Sequence, residues 1–150
     1  MNINIKLVPI LQKIQFASRY FELCRKHSDF EGAIDDYDKT VIKRTLENKG
    51  LKISYVKSEK FYKSIEKIGD LSIQFNIIPK RGFVQFVLDV KQGNERLNLG
   101  FGMWESITRE LDSIEVKKPL FGSIEELQEI LDEAFNIYED FKTELKNQSV

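Results

Sequence analysis

The sequence predicts an α+β fold, an antiparallel β-meander of about four to five strands packed against N-terminal helices and a long C-terminal amphipathic helix. Two runs in the middle of the chain carry the sheet. Leu71, Ile73, Phe75 and Ile77 alternate with Ser72, Gln74 and Asn76, and Val84, Phe86, Leu88 and Val90 alternate with Gln85 and Asp89, the two-residue period that puts one apolar and one polar face on a strand. Pro79, Lys80, Arg81 and Gly82 supply turn chemistry between them. The third observation is at the C-terminal end. Ile124, Leu127, Leu131, Ala134, Phe135, Tyr138, Phe141 and Leu145 recur at three- and four-residue steps, the stripe of a helix that covers a sheet's apolar face.

Taken in order, Ile3, Ile5 and Leu7 alternate as a short edge strand would, while Ile3, Leu7, Ile10, Ile14, Ala17, Phe21 and Cys24 also share one helical stripe. Pro9 suits the first turn of a helix and damages an interior, which predicts a first helix from about Pro9 to Lys26. After His27-Ser28-Asp29, the stripe Phe30, Ala33, Ile34, Tyr37, Val41 and Leu46 predicts a second helix, stopped at Asn48-Lys49-Gly50. Leu51, Ile53 and Tyr55 alternate as a strand, and Phe61 to Ile68 fits another before the Gly69-Asp70 turn. Beyond the two central strands, a Gln92-Gly93-Asn94 turn leads into Leu97, Leu99 and Phe101, alternating with Arg96 and Asn98. Met103 to Leu111 fits a short helix, and Lys118 to Gly122 a connector. Ser123 opens the last helix with Glu126 three residues on, the reciprocal arrangement that satisfies free backbone donors. The whole chain, 1–150, reads as one domain, with no internal repeat.

Composition narrows the function classes. With 150 residues, 41% hydrophobic and 31% charged, the chain has enough apolar material for a core without metal or disulfide support. A lone Cys24 offers no internal disulfide, the N-terminus lacks a signal-like pattern and no apolar run approaches a membrane span, so a cytoplasmic protein with no membrane partner is expected. A formal net charge of −1 gives no overall attraction for nucleic acid.

Chemistry-bearing motifs are sparse. Cys24 and His27 stand three apart, but a stable zinc site needs about four ligands and these are the sole cysteine and histidine, so they read as a core thiol and a helix-end imidazole. Gly100-Phe101-Gly102 lacks the downstream glycine of a dinucleotide loop, and no nucleophile elbow or phosphate-cradling glycine-lysine run occurs. Asp35, Asp36 and Asp38 lack the glycine and distal glutamate of a calcium loop and read as a solvated face or a partner-binding patch. No catalytic residue, metal, cofactor or small-molecule substrate is expected. One constellation departs from this: Asp70 opens a strand and Asp89-Val90-Lys91 ends its hairpin partner. It resembles the acid-x-lysine core of the PD-(D/E)xK nucleases, with Gly69 where that family usually has proline. The resemblance implies paired carboxylates on a divalent metal and a lysine at the attacking water.

Charge is segregated along the chain. Between Lys39 and Lys67 bases far outnumber acids, and between Glu125 and Lys146 the balance reverses. Glu125, Glu129, Asp132, Glu133, Glu139 and Asp140 lie opposite the apolar stripe of the last helix, either as a solvated face or as a row able to occupy a cationic groove. In size, composition and scarcity of catalytic groups, the chain resembles the immunity proteins of bacterial contact-dependent inhibition and polymorphic toxin systems. That resemblance implies a non-enzymatic module that binds a cognate toxin domain, often a nuclease, and blocks its active site or a surface it needs. Glu125, Glu129, Asp132, Glu133 and Asp140, together with Asp35, Asp36 and Asp38, are the candidate contacts. Trp104 heads the candidate anchors, with Tyr37 and Met103. A metal-dependent nuclease and an adaptor subunit of a larger assembly are the alternatives.

Overall fold

The computed structural model describes residues 6–97 and 102–148. Five strands, β1 (Ser54–Val56), β2 (Phe61–Ile68), β3 (Leu71–Lys80), β4 (Phe83–Gln92) and β5 (Glu95–Arg96), form one antiparallel sheet in chain order. Each central strand turns back through a tight connection, Gly69-Asp70 and Arg81-Gly82. Both Arg81 and Gly82 have positive φ, the conformation such turns demand. Register follows from burial: Phe75 sits between Ser64 and Leu88, and Ile77 between Tyr62 and Phe86, so the inward residues of three strands form continuous rows. Ile73, Phe75, Ile77, Val84, Phe86 and Val90 are wholly buried, while their alternates lie half-exposed on the outer face.

The helices cover the inner face. α1 (Val8–Lys13), α2 (Phe16–Lys26), α3 (Thr40–Glu47), α4 (Trp104–Asp112) and the 25-residue α5 (Ile124–Gln148) surround it. The Tyr138 ring of α5 stacks on Phe75 at 4.5 Å, and Lys142 of α5 reaches Glu66 of β2 at 2.8 and 2.9 Å. Gly102, Met103 and the Pro119–Phe121 segment line the outer edge of β4, where Leu88 N–H donates to the Gly102 carbonyl and Val84 N–H to that of Pro119. This pairing covers much of an edge that would otherwise expose free donors and acceptors. Among the described residues no helix is long and apolar enough to cross a membrane.

Several sequence expectations need correction. The first helix is two, because Gln15 adopts the left-handed conformation with φ 59°. The break rotates the inward face: Phe16, Tyr20, Leu23 and Cys24 are buried, whereas Phe21, on the straight-helix stripe, is 37% exposed. The second helix begins at Thr40 and not near Phe30. Local bonds hold the 28–39 segment in turns instead: the Gly32 N–H donates to the Asp29 carboxylate at 3.1 Å, and Asp38 accepts from the Thr40 N–H at 3.0 Å. In α5 the stripe is centred on Ile130, Ala134, Ile137 and Phe141. Phe135 is at its margin, half-buried beneath the Lys49 ammonium. Ile3 and Ile5, and the Asn98–Phe101 part of the expected third meander strand, lie outside the described residues.

Candidate functional site

Where α2 ends and α5 begins, the chain ties two elements together with a small set of polar groups. The Ser123 hydroxyl accepts the Glu126 N–H at 3.0 Å, and the Glu126 carboxylate accepts the Gly122 N–H at 2.7 Å, one residue ahead of the reciprocal partner expected from sequence. Its second oxygen lies 2.8 Å from Nδ1 of His27, whose ring is buried and whose carbonyl accepts the Leu120 N–H. His27 is therefore a structural clasp, and Cys24, one turn earlier, faces Tyr20 and Glu105 in the core. Burial pushes the Cys24 thiol up to about 12, so it is neither a thiolate nucleophile nor a ready metal ligand at neutral pH. Among the described residues no group of three or more histidines, cysteines and carboxylates is placed to hold a metal ion.

Beside this clasp is an open groove of about 600 Å³, walled by Lys26 and His27 on one side and by Glu125, Glu129, Asp132 and Glu133 on the other. The five α5 candidates are all exposed, but their charges are unequally available. Asp132 pairs with Lys49 at 2.6 Å, Asp140 with Arg19 at 2.8 Å and Glu133 with Lys26 at 3.9 Å. Glu125 and Glu129 have no ion-pair partner among the described residues. The basic segment picked out by sequence thus supplies Lys49 to neutralise part of the acidic row, and the net negative field concentrates at the first turns of α5.

The acidic loop adds to that field. Residues 28–38 contain Asp29, Glu31, Asp35, Asp36 and Asp38 and not one lysine or arginine. Asp38 is held below its usual carboxylate range by hydrogen bonds from the Thr40 hydroxyl and N–H. Asp35 and Asp36 are exposed, and the Asp35 carbonyl accepts from Lys39. Sequence periodicity assigned Phe30 to a buried stripe; it is instead 81% exposed on this loop. The Gly32 N–H bond to the Asp29 carboxylate closes a single turn, and the Ile34 N–H pairs with the Phe121 carbonyl instead of continuing a helix.

Trp104 is not a surface anchor. It is wholly buried, within 5.0–5.7 Å of the Phe16, Tyr20, Phe75 and Phe86 rings. Its neighbour Glu105 accepts a hydrogen bond from the Tyr20 hydroxyl, and burial raises the pKa of both groups. Met103 bridges to Val87 at the sheet edge, and Tyr37 lies half-buried, edge-on to Phe121 at 5.2 Å.

The nuclease-like constellation is not assembled. Asp70 accepts from the Gln92 amide at 2.8 Å, at the end of the sheet that faces α1 and α5. Asp89 points to the outer face, gripped by Arg96 with Nε 3.2 Å from one oxygen and Nη2 3.3 Å from the other. Asp89 and Gln92 are three residues apart on β4, about 10 Å of strand. Lys91 is exposed directly across from Arg96, so the cation nearest Asp89 is the arginine rather than the lysine of that scheme.

No protein-family model, curated protein or solved structure matches the chain.

Proposed function

We propose that this chain is a protein-binding module of the immunity type, which captures a cognate bacterial toxin domain with a cationic working surface and blocks that surface. The observation that carries the reading is the pair of unneutralised carboxylates, Glu125 and Glu129, at the mouth of a groove on a rigid 25-residue helix. A fixed anionic row on a helix meets a cationic groove without paying for its own ordering, and complementary charge of this kind accelerates encounter and rejects wrong partners. The clasp of Glu126, Ser123 and His27 supports the reading because it locks the first turns of α5 against α2, holding the row in one orientation. The cytoplasm, where an incoming toxin acts, is the compartment in which the module works. It acts by occlusion and needs no cofactor, small-molecule substrate or nucleic acid of its own.

The reading predicts that the gene immediately upstream encodes a toxin, and the test is a titration of the purified chain with that toxin's C-terminal domain, followed by calorimetry. One-to-one binding with a dissociation constant at or below about 10 nM is the expected result, typical of tight inhibitory interfaces. No heat and no co-elution at micromolar concentrations would refute it.

A further inference from the structure

Among the described residues the most exposed large apolar side chain is Phe30, 81% exposed on a loop whose charged side chains are all carboxylates. An exposed phenylalanine is unremarkable on a floppy segment, but this loop is pinned on both sides of its tip. The Ala33 N–H donates to the Phe30 carbonyl at 3.3 Å and the Gly32 N–H to the Asp29 carboxylate at 3.1 Å, closing a turn around the ring. The Ile34 N–H donates to the Phe121 carbonyl at 3.0 Å, and Tyr37 rests edge-on against the Phe121 ring. Packing beneath the loop is equally close. A Cβ on Gly122 would come within 2.7 Å of the Gly32 carbonyl oxygen, and one on Gly82 within 2.9 Å of the Ala33 Cβ. The ring is therefore presented by a braced loop, and Gly32 places that loop against Gly122, one residue before the Ser123 cap of α5.

Resting on the immunity reading above, we propose that Phe30 is the anchor of the partner interface. It inserts into an apolar pocket rimmed by lysine or arginine on the toxin domain, while Glu31, Asp35 and the free carboxylates of α5 face those cations. The partner's chemistry follows from charge complementarity: an apolar knob ringed by anions fits a basic protein surface, and it repels the phosphates of a nucleic acid or an anionic membrane. An aromatic on a braced loop loses little conformational freedom when it docks, which is the property that concentrates binding energy in a few anchors.

The experiment is binding kinetics between the full chain and the upstream-encoded toxin domain, for wild type, Phe30→Ala and Phe30→Leu. Phe30 is 81% exposed, so both variants should melt with the wild type. Phe30→Ala should raise the dissociation rate about 30-fold, equivalent to about 2 kcal/mol at 1.4 kcal/mol per tenfold, with the association rate almost unchanged. Phe30→Leu should recover part of that loss. Amide exchange in the complex should show protection across residues 28–38. Equal dissociation rates for all three proteins, or protection confined to the outer sheet face, would overturn the assignment of Phe30 while leaving the immunity reading intact. Failure of the wild type to bind the toxin domain would overturn both.

Discussion

Replacing Trp104 separates a core role from a contact role. Its indole is wholly buried among four aromatic rings, and its Nε1 has no hydrogen-bond acceptor. A side chain of this size removes roughly 200 Å² from water, worth about 5 kcal/mol at 25 cal/mol per Å² as an upper estimate. Truncation to alanine also leaves a cavity, and Trp→Ala substitutions in cores cost about 3–5 kcal/mol. Trp104→Ala should therefore cost about 4 kcal/mol, a large part of the 5–15 kcal/mol by which domains are typically stable. Trp104→Phe should behave differently. It keeps a ring against Phe75 and Phe86, and it removes a buried donor whose unsatisfied state costs roughly 1–3 kcal/mol, which offsets much of the lost volume. A net cost near 1 kcal/mol is expected. The assay is urea unfolding followed by far-ultraviolet circular dichroism, with the slope checked so that a midpoint shift reports stability. An alanine variant within about 0.5 kcal/mol of wild type, or a phenylalanine variant as damaged as the alanine one, would refute the packing argument.

Two further outcomes follow from charge. Burial raises the Glu105 pKa above its ordinary 4.5, so the folded state disfavours the carboxylate. The stabilising contribution of the protonated acid is complete below the unfolded value and is lost as pH rises through the folded one. Glu105→Gln keeps an acceptor for Tyr20 without the buried charge; its urea midpoint should match wild type in acid and exceed it as pH climbs above 4.5 toward neutrality, and parallel curves would contradict the account. Replacing Glu125 and Glu129 together with glutamine should leave the melting temperature unchanged, lower the association rate with the toxin domain and flatten its salt dependence. Unchanged rates and slopes would reduce these groups to a solvated surface.

The sheet was legible because strict alternation in β3 and β4 has one physical cause, a buried face opposite a wet one, and nothing in that stretch competes with it. The long last helix was legible from its stripe and Ser123 cap, although Ile130 and Ile137 displaced Phe135 from the centre once the sheet fixed the helix's rotation. Failures came where two signals conflicted. An apolar stripe linked Phe30 to Leu46, but the Ile34 N–H pairs with the distant Phe121 carbonyl in place of a helical partner, and the Asp29 and Asp38 carboxylates take the Gly32 and Thr40 N–H groups. Across Ile14 to Phe16, one left-handed residue, Gln15, resets the helical phase so that Phe16 and Tyr20 of α2 face the core along with Ile10 and Leu11 of α1, a gain that no local pattern encodes. The candidate site was half legible for the same reason. Spacing placed Glu125, Glu129, Asp132, Glu133 and Asp140 on an outward face, yet Lys49, Lys26 and Arg19 come from distant parts of the chain and neutralise three of them. Trp104 reads equally as anchor or core in sequence, and four ring neighbours decide it.

Growth under toxin expression tests the central claim most directly. The upstream-encoded toxin domain is induced in bacterial cells with or without this chain, and viable counts are compared while the level of folded chain is followed in parallel. Neutralisation by direct capture predicts that arrest by the toxin is relieved when the wild-type chain is present, and that relief weakens in step with affinity for Phe30→Ala. Undiminished killing in cells that accumulate the folded chain would contradict the account.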